Sequence, residues 1–114
     1  MGIDYSRQIG KKITTKGVQN ICIDIEAIIY IQCHEGLSTL FLHDSIEAYD
    51  IKTLAAFEEE FAGMGFMRIN RNTLVNGKYI TKINTHRGKR MVYLGEIALK
   101  VSKRRMSLLR KVLF

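Results

Sequence analysis

At 114 residues the chain is long enough for one domain with one core and too short for two. Its 46% apolar and 25% charged residues exclude disorder, no apolar run nears the roughly 20 residues of a membrane-spanning helix, and Met1 to Gly10 lacks the apolar segment of a secretory signal. The formal charge of +7 is lopsided: residues 1–64 carry 5 Lys+Arg against 10 Asp+Glu (net −5), and residues 65–114 carry 13 against 1 (net +12).

Gln8 to Thr14 predicts a first strand that ends at a Lys16-Gly17 turn. Ile21-Cys22-Ile23-Asp24-Ile25 alternates apolar with small or polar residues, the period of a half-buried strand. Ile28-Ile29-Tyr30-Ile31 is almost wholly apolar and β-branched, which predicts a core strand covered on both faces. Glu35-Gly36 breaks it, and Ser38 to His43 returns as the second arm of a hairpin. Glu47 to Ile51 adds a strand. From Lys52 to Ala62, Leu54, Phe57 and Phe61 recur at i, i+3 and i+7 while Glu58, Glu59 and Glu60 face away. This short helix needs a sheet to pack on; Asp50 or Thr53 is placed to cap it, and Gly63 with Gly65 to stop it.

Two strand-like pieces, Phe66 to Ile69 and Thr73 to Val75, flank a polar knuckle of Asn70, Arg71 and Asn72. The knuckle holds a five-donor cation out on a short turn, suited to a phosphate or to the edge of a guanine; an ordinary solvated turn has the same composition. Tyr79 to Ile83 and Arg90 to Leu94 predict a hairpin across His86-Arg87-Gly88-Lys89, with Gly88 supplying the positive φ. That basic tip reads as general electrostatic attraction or as contact with another domain, and not as base readout. Gly95 turns the chain, and Ile97, Leu99 and Val101 share one face of a last strand. Ser102 stands at the N-cap of a basic helix whose apolar stripe is Met106, Leu109 and Leu113. With no Pro, no Gly/Ser linker and no repeat, residues 1–114 form one mainly β domain with its core at about residues 10–112. Its antiparallel sheets are stacked, with a short internal helix and a C-terminal helix.

The basic second half asks for a polyanionic partner, without choosing among DNA, RNA, an anionic surface and an acidic protein. Cys22 and Cys33 lie in strand-like segments with no second Cys or His at metal-ligand spacing. They read as small apolar side chains in a reducing, cytoplasmic setting, and no metal or cofactor is expected. Three dispersed histidines, and the lack of G-x-S-x-G, P-loop, G-x-G-x-x-G and H-E-x-x-H patterns, argue against an enzyme.

Phe66-x-Arg68-Ile69-x-Arg71-x-x-Leu74-Val75-Asn76, with Ile80 four residues on, resembles the F-I-R-I-H-R-S-Y-I-V-N motif of LytTR-type DNA-binding domains, the output modules of many bacterial response regulators. Leu99-Lys100-Val101-Ser102-Lys103-Arg104 resembles that family's L-P-V-S-R-R, Ile28-Ile29-Tyr30-Ile31-Gln32 its I-x-Y-I-E strand, and Thr53-Leu54 with its helix the T-L-K-E-L-E segment. The order and spacing agree over roughly residues 10 to 112. Asn70 stands for the usual His, Asn72 for Ser, Thr73 for an aromatic, Lys100 for Pro and Lys103 for the first Arg. These departures bear on which bases are read.

The resemblance implies an elongated stack of three antiparallel sheets whose loops enter successive major grooves of double-stranded DNA, at direct repeats in promoters. Two copies then occupy one site, and a receiver domain precedes the module in many relatives. The implied loops are the hairpin near Leu37, Ser38 and Thr39, the knuckle at Arg71 and Asn72, and the turn at Lys103 and Arg104. Base contacts are assigned to Arg71, Arg104, Ser38 and Asn72; Asn72 is equally suited to an adenine, a phosphate or closing the turn. Phosphate contacts are assigned to Thr39, Arg68, Lys103 and Arg105, with Arg68 also readable as a sheet-bound structural side chain. The competing readings are a β-rich RNA or single-strand binder, which needs exposed aromatic platforms, and a basic protein- or membrane-interaction module built on the C-terminal helix.

Overall fold

The apolar run from Ile28 becomes the hub of the fold. In the computed structural model, which describes residues 11–17 and 20–113, it pairs on both sides and sends side chains into two cores. The strands in chain order are β1 (Lys12–Thr14), β2 (Cys22–Asp24), β3 (Ile28–His34), β4 (Leu37–Leu42), β5 (Glu47–Asp50), β6 (Phe66–Asn70), β7 (Thr73–Asn76), β8 (Lys82–His86), β9 (Lys89–Leu94) and β10 (Ile97–Lys100). Helix α1 (Leu54–Glu60) separates β5 from β6, and α2 (Lys103–Leu113) follows β10. All pairings are antiparallel, in three sheets: β1-β2, a five-stranded β5-β4-β3-β7-β6, and β10-β9-β8.

The five-stranded sheet is the middle layer, and strand alternation gives it two apolar faces. Ile28, Ile31, Leu40 and Leu74 face Ile13 and Ile23 of the first sheet and Leu54, Phe57 and Phe61 of the α1 segment. Tyr30, Ile69 and Val75 face Val92, Leu94 and Leu99 of the third sheet and Met106 and Leu109 of α2. Phe57 is fully buried, which stabilises the short helix by about 1.5–3 kcal/mol. Stacking three layers draws the molecule out to 56 × 36 × 26 Å. Its 14.9 Å radius of gyration exceeds the about 13 Å of a compact domain this size.

Several boundaries differ from the sequence reading, each for a local reason. Ile25 leaves the second strand for a 3-10 turn, Ile25–Ala27, and is buried there. Thr53 is the cap of α1, its hydroxyl accepting from Ala56 N–H; the fully buried Asp50 accepts instead from the Lys16 and Lys52 amides. Tyr79 sits in a 3-10 turn, Gly77–Tyr79, because Asn76 Oδ1 accepts from Lys78 N–H and delays the next strand to Lys82. Cys22 is exposed, unlike the packed thiol expected, whereas Cys33 lies against the first core. Leu99 and Val101 are buried, while Ile97 on the same strand face is 36% exposed. Gln8 to Gly10 and the side chain of Leu113 fall outside the described residues.

Candidate nucleic-acid interface

The knuckle folds as its composition suggests. The β6–β7 hairpin turns at Arg71-Asn72, and Asn70 Oδ1 accepts from Asn72 N–H at 2.8 Å, a side-chain mimic of a backbone turn. Arg68 braces the turn from beneath. Its guanidinium donates to the carbonyls of Asn70 (3.4 Å) and Arg71 (2.6 Å) and faces Glu58 at 3.6 Å. Arg71 itself is exposed, and its side chain has no partner among the described residues.

Two contacts bolt this turn to the start of α2. Ser102 N–H donates to the Ile69 carbonyl at 2.8 Å, and Asn70 Nδ2 donates to the Lys100 carbonyl, also at 2.8 Å. Ser102 caps the helix as expected, its hydroxyl accepting from Arg105 N–H. The exposed Lys103 and Arg104 on the first turn of α2 are thus held at the same end of the molecule as Arg71. Arg104 lies opposite the buried Met106 and Leu109 and is directed outward. Between the two elements is an open cleft of about 570 Å³, walled by Asn70, Arg71 and Asn72 on one side and Ala98 to Ser102 on the other. Gln32 and Thr73 form its floor, joined by a 3.4 Å hydrogen bond. Asn72 continues the neighbouring ladder by accepting from Cys33 N–H at 2.9 Å. The β3–β4 tip therefore stands beside the knuckle.

Three of the assigned residues are placed otherwise than their assignments need. Ser38 is fully buried, its hydroxyl donating to the Lys52 carbonyl at 2.8 Å, so it has no surface to offer a base. The tip of that hairpin is Glu35-Gly36, with φ of 49° and 81°, and Ser38 and Thr39 lie within β4. Alternation turns Ser38 into the first core and Thr39 to the cleft side, level with Gln32 and Thr73. Arg68, only 19% exposed, supports the knuckle rather than projecting from it. Arg105 is half-buried and lines a groove with Glu58, Arg68, Leu108 and Val112, turned away from the outward course of Arg104. Asn70 as the bolt and Lys100 as the cleft wall are not evident from the local sequence. The one available signal was that both depart from the family pattern.

A model of the LytTr DNA-binding domain matches residues 19–114, most of the chain. The chain belongs to this family. Among solved structures, a LytTr DNA-binding domain of a putative methyl-accepting/DNA response regulator from Bacillus cereus is similar in fold. It superposes with a TM-score of 0.77 at 20% identity, covering 91% of this chain and 98% of that one. Comparison with curated proteins gives no match. The LytTR fold of three antiparallel sheets and two helices is thus present, and no helix among the described residues is long and apolar enough to cross a membrane.

Proposed function

We propose that this chain is the sequence-specific, double-stranded DNA-binding domain of a bacterial transcriptional regulator. It acts as one unit over its whole length, without catalysis and in the cytoplasm. One copy occupies each of two direct repeats, and a receiver or other sensory domain governs access. The observation that carries this reading is the bolted pair of projections: Arg71 on the β6–β7 turn and Arg104 on the first turn of α2, both exposed, fixed to one another through Ser102–Ile69 and Asn70–Lys100. A rigid spacing between two guanidinium-bearing turns is what reading guanines at a fixed separation requires.

A single-strand binder would present aromatic faces to stack on. Tyr30 is instead packed on Phe41 with centroids 4.2 Å apart, and its hydroxyl pKa is raised by burial and by Glu47. Tyr79 lies edge-on to His43 and bonds to the Glu26 carbonyl, while Tyr93 is covered by Lys82.

The test is selection of bound duplexes from a random pool, followed by Arg71→Ala on the selected site. A half-site repeated at helical-turn spacing is expected. The substitution should weaken specific binding by about 1–3 kcal/mol and random-duplex binding by far less. Equal loss on both duplexes would remove Arg71 from base reading, and a pool without enrichment would remove sequence specificity altogether.

A further inference from the structure

The β8–β9 hairpin belongs to none of the three implied DNA-reading loops, yet it projects from the same end of the molecule. β9 pairs with β10 so that Met91 lies opposite Lys100, and the Arg87-Gly88 turn extends about 10 Å beyond that level, at roughly 3.3 Å per residue. The turn is stiff. Arg87 and Gly88 both take positive φ, 52° and 76°, the two-residue geometry that matches strand twist. Arg90 donates to the Val101 carbonyl at 3.2 Å and to the Gly88 carbonyl at 3.4 Å, and Val101 N–H returns a bond to the Arg90 carbonyl. From the other arm, Thr85 accepts from Arg110 of α2 at 3.2 Å.

Lys89, Met91 and Lys100 share the outward face of this sheet, since Lys100 is opposite Met91 and Lys89 is two residues away. Lys89, Arg90 and Lys100 line a concavity of about 200 Å³ with Gly88, Met91 and Val101, and no carboxylate lines it. Lys100 lines the Arg71 cleft as well. The cationic surface is therefore continuous from the knuckle, across the edge strand, to the hairpin tip. Arg87, Lys89 and Lys100 have no ion-pair partner among the described residues, whereas Lys12, Lys52 and Lys78 all have one.

We propose that the β8–β9 turn is an additional phosphate-binding element, in which Arg87 and Lys89 engage the backbone of the same duplex that the Arg71 cleft reads. This rests on the duplex-binding function proposed above. The contacts hold the register of the protein without reading sequence.

The experiment measures affinity for the selected duplex and for a random one across a salt series. The variant is Arg87→Asn with Lys89→Gln, because Asn tolerates the positive φ at position 87. Lys78→Gln with Lys82→Gln is the charge-matched control, placed away from this turn, and thermal melts establish that each variant is folded. Two lost phosphate contacts should flatten the salt slope by about 1.8 and weaken binding by about 30-fold near 0.15 M salt. The loss should be equal on both duplexes, and the control should keep the wild-type slope. Each single substitution should produce about half that change in slope. A slope unaffected by the hairpin variant, or lowered equally by the control, overturns the assignment while leaving duplex recognition standing. Wild-type protein that binds no duplex overturns both.

Discussion

Asn70 makes one amide serve two elements, and replacing it separates bolt from knuckle. Its Oδ1 accepts from Asn72 N–H and its Nδ2 donates to the Lys100 carbonyl, each at 2.8 Å. Both bonds are solvent-exposed, so each has a net worth near the low end of the usual 0.5–1.5 kcal/mol, about 1–2 kcal/mol together. Asn70→Ala should therefore lower Tm by roughly 4–8 °C. The larger consequence is for recognition. A knuckle no longer held must be ordered on binding, at about 1 kcal/mol, so specific affinity should fall about fivefold. Random-duplex binding should change little, because no charge is removed. The neutral imidazole also carries one acceptor and one donor. Asn70→His, assayed near pH 8 where histidine is mostly neutral, should therefore restore discrimination; His is the residue the family pattern has there. Anisotropy titrations on selected and random duplexes, beside thermal melts, provide both readouts. A variant with lowered Tm but an unchanged affinity ratio would refute the reasoning, and so would a His variant no better than Ala.

Two other substitutions separate binding from stability. Lys103→Ala should weaken binding to every duplex and lower the salt slope by about 0.9, with the specific-to-random ratio preserved; an unchanged slope rules out a phosphate contact there. Ser38→Ala leaves the Lys52 carbonyl without its buried donor and should cost about 1–3 kcal/mol in urea denaturation, with duplex affinity unaltered. A loss of affinity at equal folding would return Ser38 to the interface.

The knuckle was legible because its signals are local: two β-rich pieces, a polar turn, and a spacing shared with the LytTR motif. The hub strand was legible because a continuous β-branched run fits only a position with partners on both faces. Ser38 was misplaced because period-two alternation fixes that neighbours face opposite ways but not which one faces the core; Lys52, fourteen residues on, decides it by accepting the Ser38 hydroxyl. Arg68 looks like any exposed strand cation until Glu58 of α1 and the Arg71 carbonyl are brought to its guanidinium. Asn70 is the clearest case of what a sequence conceals. Its turn bond spans two residues and can be anticipated, but its bond to Lys100 spans thirty and exists only once the second and third sheets are stacked.

The charge asymmetry of the sequence acquires a physical sense from how this end is braced. The ion pairs of Lys12, Lys52, Arg68 and Lys78 draw on carboxylates of the acidic first half, and among the described residues no ion pair involves anything beyond Lys78. A carboxylate brace at the basic end would hold the turns equally well, but it would compete with phosphate for the same cations and remove attraction where a duplex approaches. Beneath the knuckle the half-buried Arg68 does face Glu58, but the other contacts found there are Ser102 N–H to Ile69, Cys33 N–H to Asn72, Val101 N–H to Arg90, one Asn amide, and the Arg90 guanidinium on carbonyls. These others hold geometry without neutralising a cation, and the outward Arg71, Lys103 and Arg104 keep their charge. The like charges left facing one another are screened over about 8 Å at physiological salt, so the cost to folding is small. Their release of counterions on meeting phosphate remains fully available to binding. Neutral bracing of charged tips thus reconciles a rigid interface with a cationic one.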